Sequence, residues 1–233
     1  MTAIFITGTG TDVGKTFVTA ALIRHCRAAG CAVAAIKPVV SGFDPAAATA
    51  ASDPGVLCAA LGRAASLEEI ERISPWRFKA PLSPDLAAAR EGRTLEFHAL
   101  VDFSRRAAAG AGLVFIEGVG GVMVPLDATR TVLDWMSALR CPVLLVGGSY
   151  LGTISHTLTA LQVLARRNLD IAAVVVSESA APGAPLADTV ATIARFADLI
   201  EVIGIPRCTA DAGDHPAIAR IAALLWKPAQ LSR

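Results

Sequence analysis

The sequence predicts one α/β domain, with a mostly parallel sheet and helices on both of its faces. Short apolar runs alternate with longer helix-patterned stretches, the rhythm of successive βαβ units. Most of those runs are continuous Val, Ile, Leu and Ala rather than alternating with polar residues, as expected of strands covered on both faces. No internal repeat, low-complexity linker or shift of composition interrupts the 233 residues, so 1–233 reads as a single unit.

Taken in order, strands are expected at Ile4–Thr7, Val33–Lys37, Leu113–Glu117, Val143–Gly147, Ala172–Ser177 and Val202–Ile205. Helices are expected to begin near Lys15, Pro54, Pro84, Glu96, Thr131, Thr153, Pro185 and Pro216. Asp53-Pro54 and Ser83-Pro84 each place a capping side chain before a proline at the first helical position.

Composition removes several classes of function. Hydrophobic residues make up 54% and charged ones 18%, enough apolar material for a sizeable core and too little charge for disorder. Lys and Arg number 21 against 20 Asp and Glu, a balance that excludes nucleic-acid binding driven mainly by charge. No apolar run reaches bilayer length despite a mean hydropathy of +0.55. The start, Met1-Thr2-Ala3-Ile4-Phe5-Ile6-Thr7, lacks a basic leader and a cleavage site. The five cysteines are scattered and odd in number, with no C-x-x-C pair. They read as small buried hydrophobes of a reducing compartment, which predicts a cytoplasmic protein. The four histidines are equally dispersed and read as structural or surface residues.

Chemistry concentrates at the ends of the predicted strands, where ligands of open parallel sheets bind. Gly8-Thr9-Gly10-Thr11-Asp12-Val13-Gly14-Lys15-Thr16 follows an apolar strand and opens a helix, the setting of a phosphate-binding P-loop. Backbone N–H groups and the positive helix end would cradle phosphate oxygens. Lys15 would reach the β and γ phosphates, and the Thr16 hydroxyl would ligate Mg²⁺. The first glycine stands one residue further out than usual, a slightly longer variant. Strand two ends in Lys37-Pro38-Val39-Val40-Ser41-Gly42, which aims Lys37 over the sheet edge towards the P-loop or leaves it snorkelling there. As a strand-end side chain it is expected to anchor little core. Strand three closes on Glu117 before Gly118-Val119-Gly120-Gly121, where a metal-coordinating carboxylate belongs. Asp53 reads either as a helix cap or as a member of the site.

This constellation resembles the dethiobiotin synthetases along nearly the whole chain. The resemblance is carried by Thr7–Thr16, by Lys37 to Gly42, and by Ser52-Asp53 and Pro81-Leu82-Ser83-Pro84. It continues in Glu117–Gly121, Asp134-Trp135 and Leu151-Gly152-Thr153-Ile154-Ser155-His156. It implies a homodimeric ligase that makes dethiobiotin from 7,8-diaminopelargonic acid, CO₂ and MgATP. Carried over by position, Lys37, Lys15 and Thr11 are catalytic, and Thr16, Asp53 and Glu117 ligate Mg²⁺. Nucleotide contacts fall to Asp12, Val13, Gly14, Lys15, Thr16, Phe17, Asp53, Glu117, Gly118, Val119, Gly120, Ser177 and Pro206. Substrate contacts fall to Ser41, Thr11, Pro81, Gly152, Thr153 and Ser155. The chain departs from the family at Ser155 and Ser177, where many members carry asparagine.

The competing reading is a partitioning or placement ATPase, a nucleotide-driven dimer switch without a metabolic substrate. Such proteins resemble this chain in P-loop and fold but carry a further lysine near the start of the loop, where Gly10 stands here.

Overall fold

A computed structural model describes residues 2–46, 49–110, 112–208 and 212–226. In chain order the first half holds β1 (Thr2–Gly8), α1 (Lys15–Ala28), β2 (Val33–Ile36), β3 (Val39–Ser41), α2 (Asp53–Ala60), α3 (Leu67–Ile73), β4 (Trp76–Phe78), α4 (Pro84–Arg90) and α5 (Phe97–Ala108). The second half holds β5 (Leu113–Glu117), α6 (Val132–Leu139), β6 (Val143–Gly147), α7 (Thr153–Arg166), β7 (Ile171–Ser177), α8 (Leu186–Ala194), β8 (Val202–Ile205) and α9 (Pro216–Leu225). Six strands form one sheet in the order β2-β5-β1-β6-β7-β8, and every pairing in it is parallel.

The chain runs from β1 to β2 on one side and later through β6, β7 and β8 on the other. Right-handed crossovers made in opposite directions put α1 and α7 on opposite faces. The packing agrees: α1 lies against α2 and α9, and α7 against α8. The order therefore reverses about β1, and a crevice opens at its carboxyl end. The central strands are the most deeply buried, with every residue of β5 and β6 inside. Phe5 meets Trp135 edge to face at 4.8 Å, and the indole N–H donates to Ser104 Oγ at 3.1 Å, so the core's largest side chain has its polar atom satisfied. Among the described residues no helix is long and apolar enough to cross a membrane.

Three of these elements escaped the sequence reading. β3 and β4 pair in parallel as a separate two-stranded sheet, with Ser41 opposite Phe78. Three residues apiece are too few to establish a period. α3 could have been found, because Ser66 accepts from Glu69 N–H at its start and Ser-x-x-Glu is a capping signature. The expected caps also need correction. Ser52, not Asp53, caps α2 by accepting from Gly55 N–H at 3.2 Å. Ser83 stands at the cap of α4 without a side-chain hydrogen bond. Cys26 and Cys58 are buried as expected, but Cys31 and Cys141 are only partly so and Cys208 is exposed.

Candidate active site

The P-loop leaves the buried end of β1 and enters α1 through Gly14. Gly14 has φ 92°, and a Cβ there would lie 2.6 Å from Ser177 Oγ. Backbone conformation and close approach both demand glycine, and Ser177 is thereby placed against the loop. Lys15 is only 6% exposed, and its ammonium donates to Gly10 O at 2.7 Å, across the loop it serves. Burial lowers its pKa to about 8, and the nearby charge of Lys37 acts in the same direction.

Lys37 stands just beyond β2, which ends one residue earlier than expected, at Ile36. Its backbone is held on both sides, with N–H donating to Ile73 O at 3.0 Å and C=O accepting from Ser74 Oγ at 2.6 Å. The side chain is turned inward at 3% exposure, which excludes the snorkelling alternative. Its ammonium donates to Glu117 Oε1 at 2.5 Å and pairs with Asp53 Oδ2 at 3.0 Å. Burial alone would lower the Lys37 pKa, but the two carboxylates outweigh it and hold the pKa above the ordinary lysine value. Burial likewise pushes Asp53 up, and Lys37 overrides that to hold it below the usual carboxylate range. The expectation that Lys37 anchors little structure is overturned: it neutralises a wholly buried acid.

That acid is Glu117, the last residue of β5, at 0% exposure. Its Oε1 also accepts from the Thr16 hydroxyl at 2.6 Å, while Oε2 is buried with no hydrogen-bond partner among the described residues. A buried lone pair without a donor is costly, and it marks where a further cation or donor would be welcome. With Ser52 serving as the cap, the Asp53 carboxylate on the first turn of α2 is released to face Lys37.

A cavity of about 610 Å³ lies over this cluster. It brings together the predicted Thr11, Asp12, Gly14, Lys15, Thr16, Phe17, Lys37, Ser41, Asp53, Pro81, Val119 and Gly120. Ser41 Oγ is buried there with no hydrogen-bond partner among the described residues. Val40, Leu82, Ser83, Pro84 and Val124 complete the wall; they had no predicted role, although Pro81 to Pro84 was visible as a segment. An adjoining cavity of about 340 Å³ shares Asp12, Gly14 and Phe17 and is lined by Val13, Ser177 and Pro206. Glu178, Ser179, Ala180, Arg207 and Cys208 also line it and were not anticipated.

Five predicted residues line neither cavity, and the first is Glu117, which lies wholly buried beneath Lys37 and Thr16. Gly118 donates its N–H to Ile6 O at 2.9 Å and packs against Phe5, so it supports the floor. Gly152, Thr153 and Ser155 sit at the start of α7, outside both cavities. Thr153 is turned inward, its hydroxyl donating to Gly148 O at 2.7 Å and its N–H to Tyr150 O at 3.1 Å. The first-turn donors left to meet an anion are those of Gly152, Ile154 and Ser155.

The cluster offers only hard oxygen donors to a metal: Thr16 Oγ1 and the carboxylates of Glu117 and Asp53. That set suits Mg²⁺, which takes one or two carboxylates and completes its shell with phosphate and water. No group of three or more His, Cys, Asp or Glu with metal-site geometry occurs among the described residues.

Comparison with known proteins follows the same lines. A family profile described as an AAA domain matches residues 2–208. The chain is 50% identical over 226 residues to "ATP-dependent dethiobiotin synthetase BioD" of Methylobacterium nodulans, covering 93% of this chain and 96% of that one. It is 51% identical over 210 residues to the protein of the same name from Phenylobacterium zucineum, covering 89% of each. Among solved structures it resembles the MinC:MinD cell division protein complex of Aquifex aeolicus, with TM-score 0.53 and 13% identity over 97% of this chain and 94% of that one. It also resembles chloroplast FtsY of Physcomitrella patens, with TM-score 0.53 and 16% identity over 96% of this chain and 65% of that one. At such identities the structural likeness is one of fold alone.

Proposed function

This chain belongs to the ATP-dependent dethiobiotin synthetases, and on that premise we infer how its residues divide the work of the reaction. The enzyme joins 7,8-diaminopelargonic acid to CO₂ at the expense of ATP, giving dethiobiotin, ADP and phosphate. One substrate amine captures CO₂ as a carbamate and releases a proton. A carbamate acylates poorly, because its oxygen would have to leave as oxide. Transfer of the γ-phosphoryl group makes a carbamic–phosphoric anhydride, whose leaving group is phosphate. The second amine then attacks the same carbonyl carbon and closes a five-membered ring, with the advantage of an intramolecular step. The protein's tasks are positioning and charge stabilisation.

The observation that carries the assignment is Lys37 suspended between Glu117 and Asp53, beside a P-loop whose Thr16 shares Glu117. Lys37 is assigned to the carbamate and the transferring phosphoryl oxygens, Lys15 to the nucleotide phosphates, and Thr11, Ser41 and Pro81 to the diamine. Asp12, Val13, Gly14, Phe17, Val119 and Gly120 border the nucleotide, with its base in the smaller cavity against Ser177 and Pro206. Thr16, Glu117 and Asp53 would hold Mg²⁺, which would neutralise phosphate charge; the unpartnered Glu117 Oε2 fits that role. The deciding assay supplies the diamine, bicarbonate and MgATP and identifies dethiobiotin by mass. Phosphate release without diamine would instead mark a nucleotide switch.

The start of α7 lies outside the main cavity, and the substrate's carboxylate lies several methylenes from its amines. We assign that turn to the carboxylate of a substrate bound in a neighbouring subunit of a homodimer. Ser155→Ala should then raise the diamine KM only modestly, since backbone donors do the binding. Gly152→Val should raise it far more. A Cβ at Gly152 meets nothing closer than 3.6 Å, so the cost comes from φ 97°, which a β-branched residue resists. Full activity in a demonstrated monomer would contradict the shared site.

Base selectivity should be weak. The Ser177 hydroxyl cannot donate and accept across two base atoms as a carboxamide can. Loss of one bidentate contact forfeits about 1–3 kcal/mol of discrimination, so CTP and GTP should support kcat/KM within about a hundredfold of ATP. A larger ATP preference would place adenine readout on other groups of the cavity.

A further inference from the structure

Two loops leave the carboxyl ends of the neighbouring strands β6 and β7, residues 148–152 and 178–185. They are joined by a reciprocal pair of hydrogen bonds. Ser149 N–H donates to Ser179 Oγ, and Ser179 N–H donates to Ser149 Oγ, each at 2.9 Å. Ser149 is only 1% exposed, and its carbonyl accepts from Gly183 N–H at 2.7 Å. The contact is tight beyond the serines as well. A Cβ on Gly183 would lie 2.7 Å from the Leu151 nitrogen, and one on Gly148 would lie 2.7 Å from Ser179 Oγ.

The clasp joins two places with different duties. Ser179 follows Ser177 and Glu178 along the wall of the smaller cavity. Ser149 lies in the turn that sets α7, where Gly148 O and Tyr150 O hold Thr153. The strands beneath, at Val146 and Val175, are fully buried and close-packed, so they cannot absorb a displacement of one loop relative to the other. A change in one loop is therefore passed to the next through the paired serines.

We propose that the Ser149–Ser179 clasp couples occupancy of the smaller cavity by a nucleobase to the placement of the first turn of α7. The two serines are positioning residues for the acidic end of the diamine. This rests on the assignment of the base to that cavity and of the substrate carboxylate to that turn. Such coupling is reciprocal: whatever factor the base adds to diamine affinity, the diamine adds to nucleotide affinity.

Calorimetric titration of diaminopelargonic acid tests it, in the presence of magnesium and either a non-hydrolysable ATP analogue or inorganic tripolyphosphate. Both fill the P-loop, but only the analogue carries a base. The wild-type protein should bind the diamine at least about fivefold more tightly with the analogue, the lower end of ordinary coupling between sites. Ser149→Ala and Ser179→Ala should bring that ratio to about one, and Ser179→Thr, which keeps the hydroxyl, should preserve it. Should Ser149→Ala fail to fold, the partly exposed Ser179 decides. A ratio of one in the wild type, or an unchanged ratio in the alanine variants, overturns the clasp while leaving the enzymatic assignment intact. A wild-type protein that binds no diamine with either ligand overturns both.

Discussion

Replacing Lys37 with glutamine is expected to lower kcat by at least about a hundredfold, the scale on which enzymes lose rate when one charge-stabilising group is removed from a water-poor site. The argument is geometric. Lys37 is 3% exposed, and its ammonium already meets Glu117 at 2.5 Å and Asp53 at 3.0 Å. It needs little reorganisation as negative charge grows on a transferring phosphoryl group. The same burial predicts a second loss. Glu117 is wholly inside, and without Lys37 only the Thr16 hydroxyl would remain on it. Lys37→Met should cost about 3–5 kcal/mol of stability, as breaking a buried pair from one side does. Lys37→Gln should cost less, because its amide can still donate to Glu117. Urea unfolding of both variants beside steady-state turnover separates the effects. Near-wild-type kcat in folded Lys37→Gln would remove the residue from the mechanism.

Why Lys37 could be singled out from the sequence, and its stabilising role could not, follows from what each depends on. A lysine closing an apolar run before proline is a local signal, and it points to the carboxyl edge of a sheet. Whether that lysine faces solvent or a buried acid depends on Glu117, eighty residues away, and on the order that sets β5 between β2 and β1. Asp53 shows the same limit on a smaller scale. Ser52 and Asp53 are adjacent and either can cap a helix, so only the observed bond to Gly55 releases the aspartate for the site. The P-loop was fully legible because strand, glycines, lysine and helix are contiguous. The smaller cavity was only half legible. Ser177 ends β7 and Pro206 directly follows β8, so both could be named, whereas Glu178 and Ser179 join the wall through bonds to neighbouring loops, such as Arg207 N–H to Glu178 Oε2 at 2.8 Å.

Lys15 should make nucleotide binding a proton-uptake reaction at mildly alkaline pH. Burial has lowered its pKa from 10.5 to about 8 in the ligand-free protein. Lys37 is held above the ordinary value by its two carboxylates and stays charged over the same range. Triphosphate oxygens beside Lys15 favour the ammonium, so the pKa must rise on binding. The sign follows. At pH 7 the amine is already roughly nine-tenths charged and binding moves few protons, whereas at pH 9 it is roughly nine-tenths neutral and must gain about 0.9 proton. Affinity for MgATP should accordingly fall by up to about tenfold per pH unit above pH 8, until the pKa of the complex is reached. Titrations at pH 9 in two buffers of different ionisation enthalpy measure the uptake directly. Lys15→Met should abolish both the uptake and the slope, and should cost at least about a hundredfold in turnover through loss of a charge on the phosphates. Binding without proton uptake at pH 9 would mean that Lys15 is charged in the free protein. Its contact with Gly10 O would then be a charged ammonium on a carbonyl, ready for phosphate without any change of protonation.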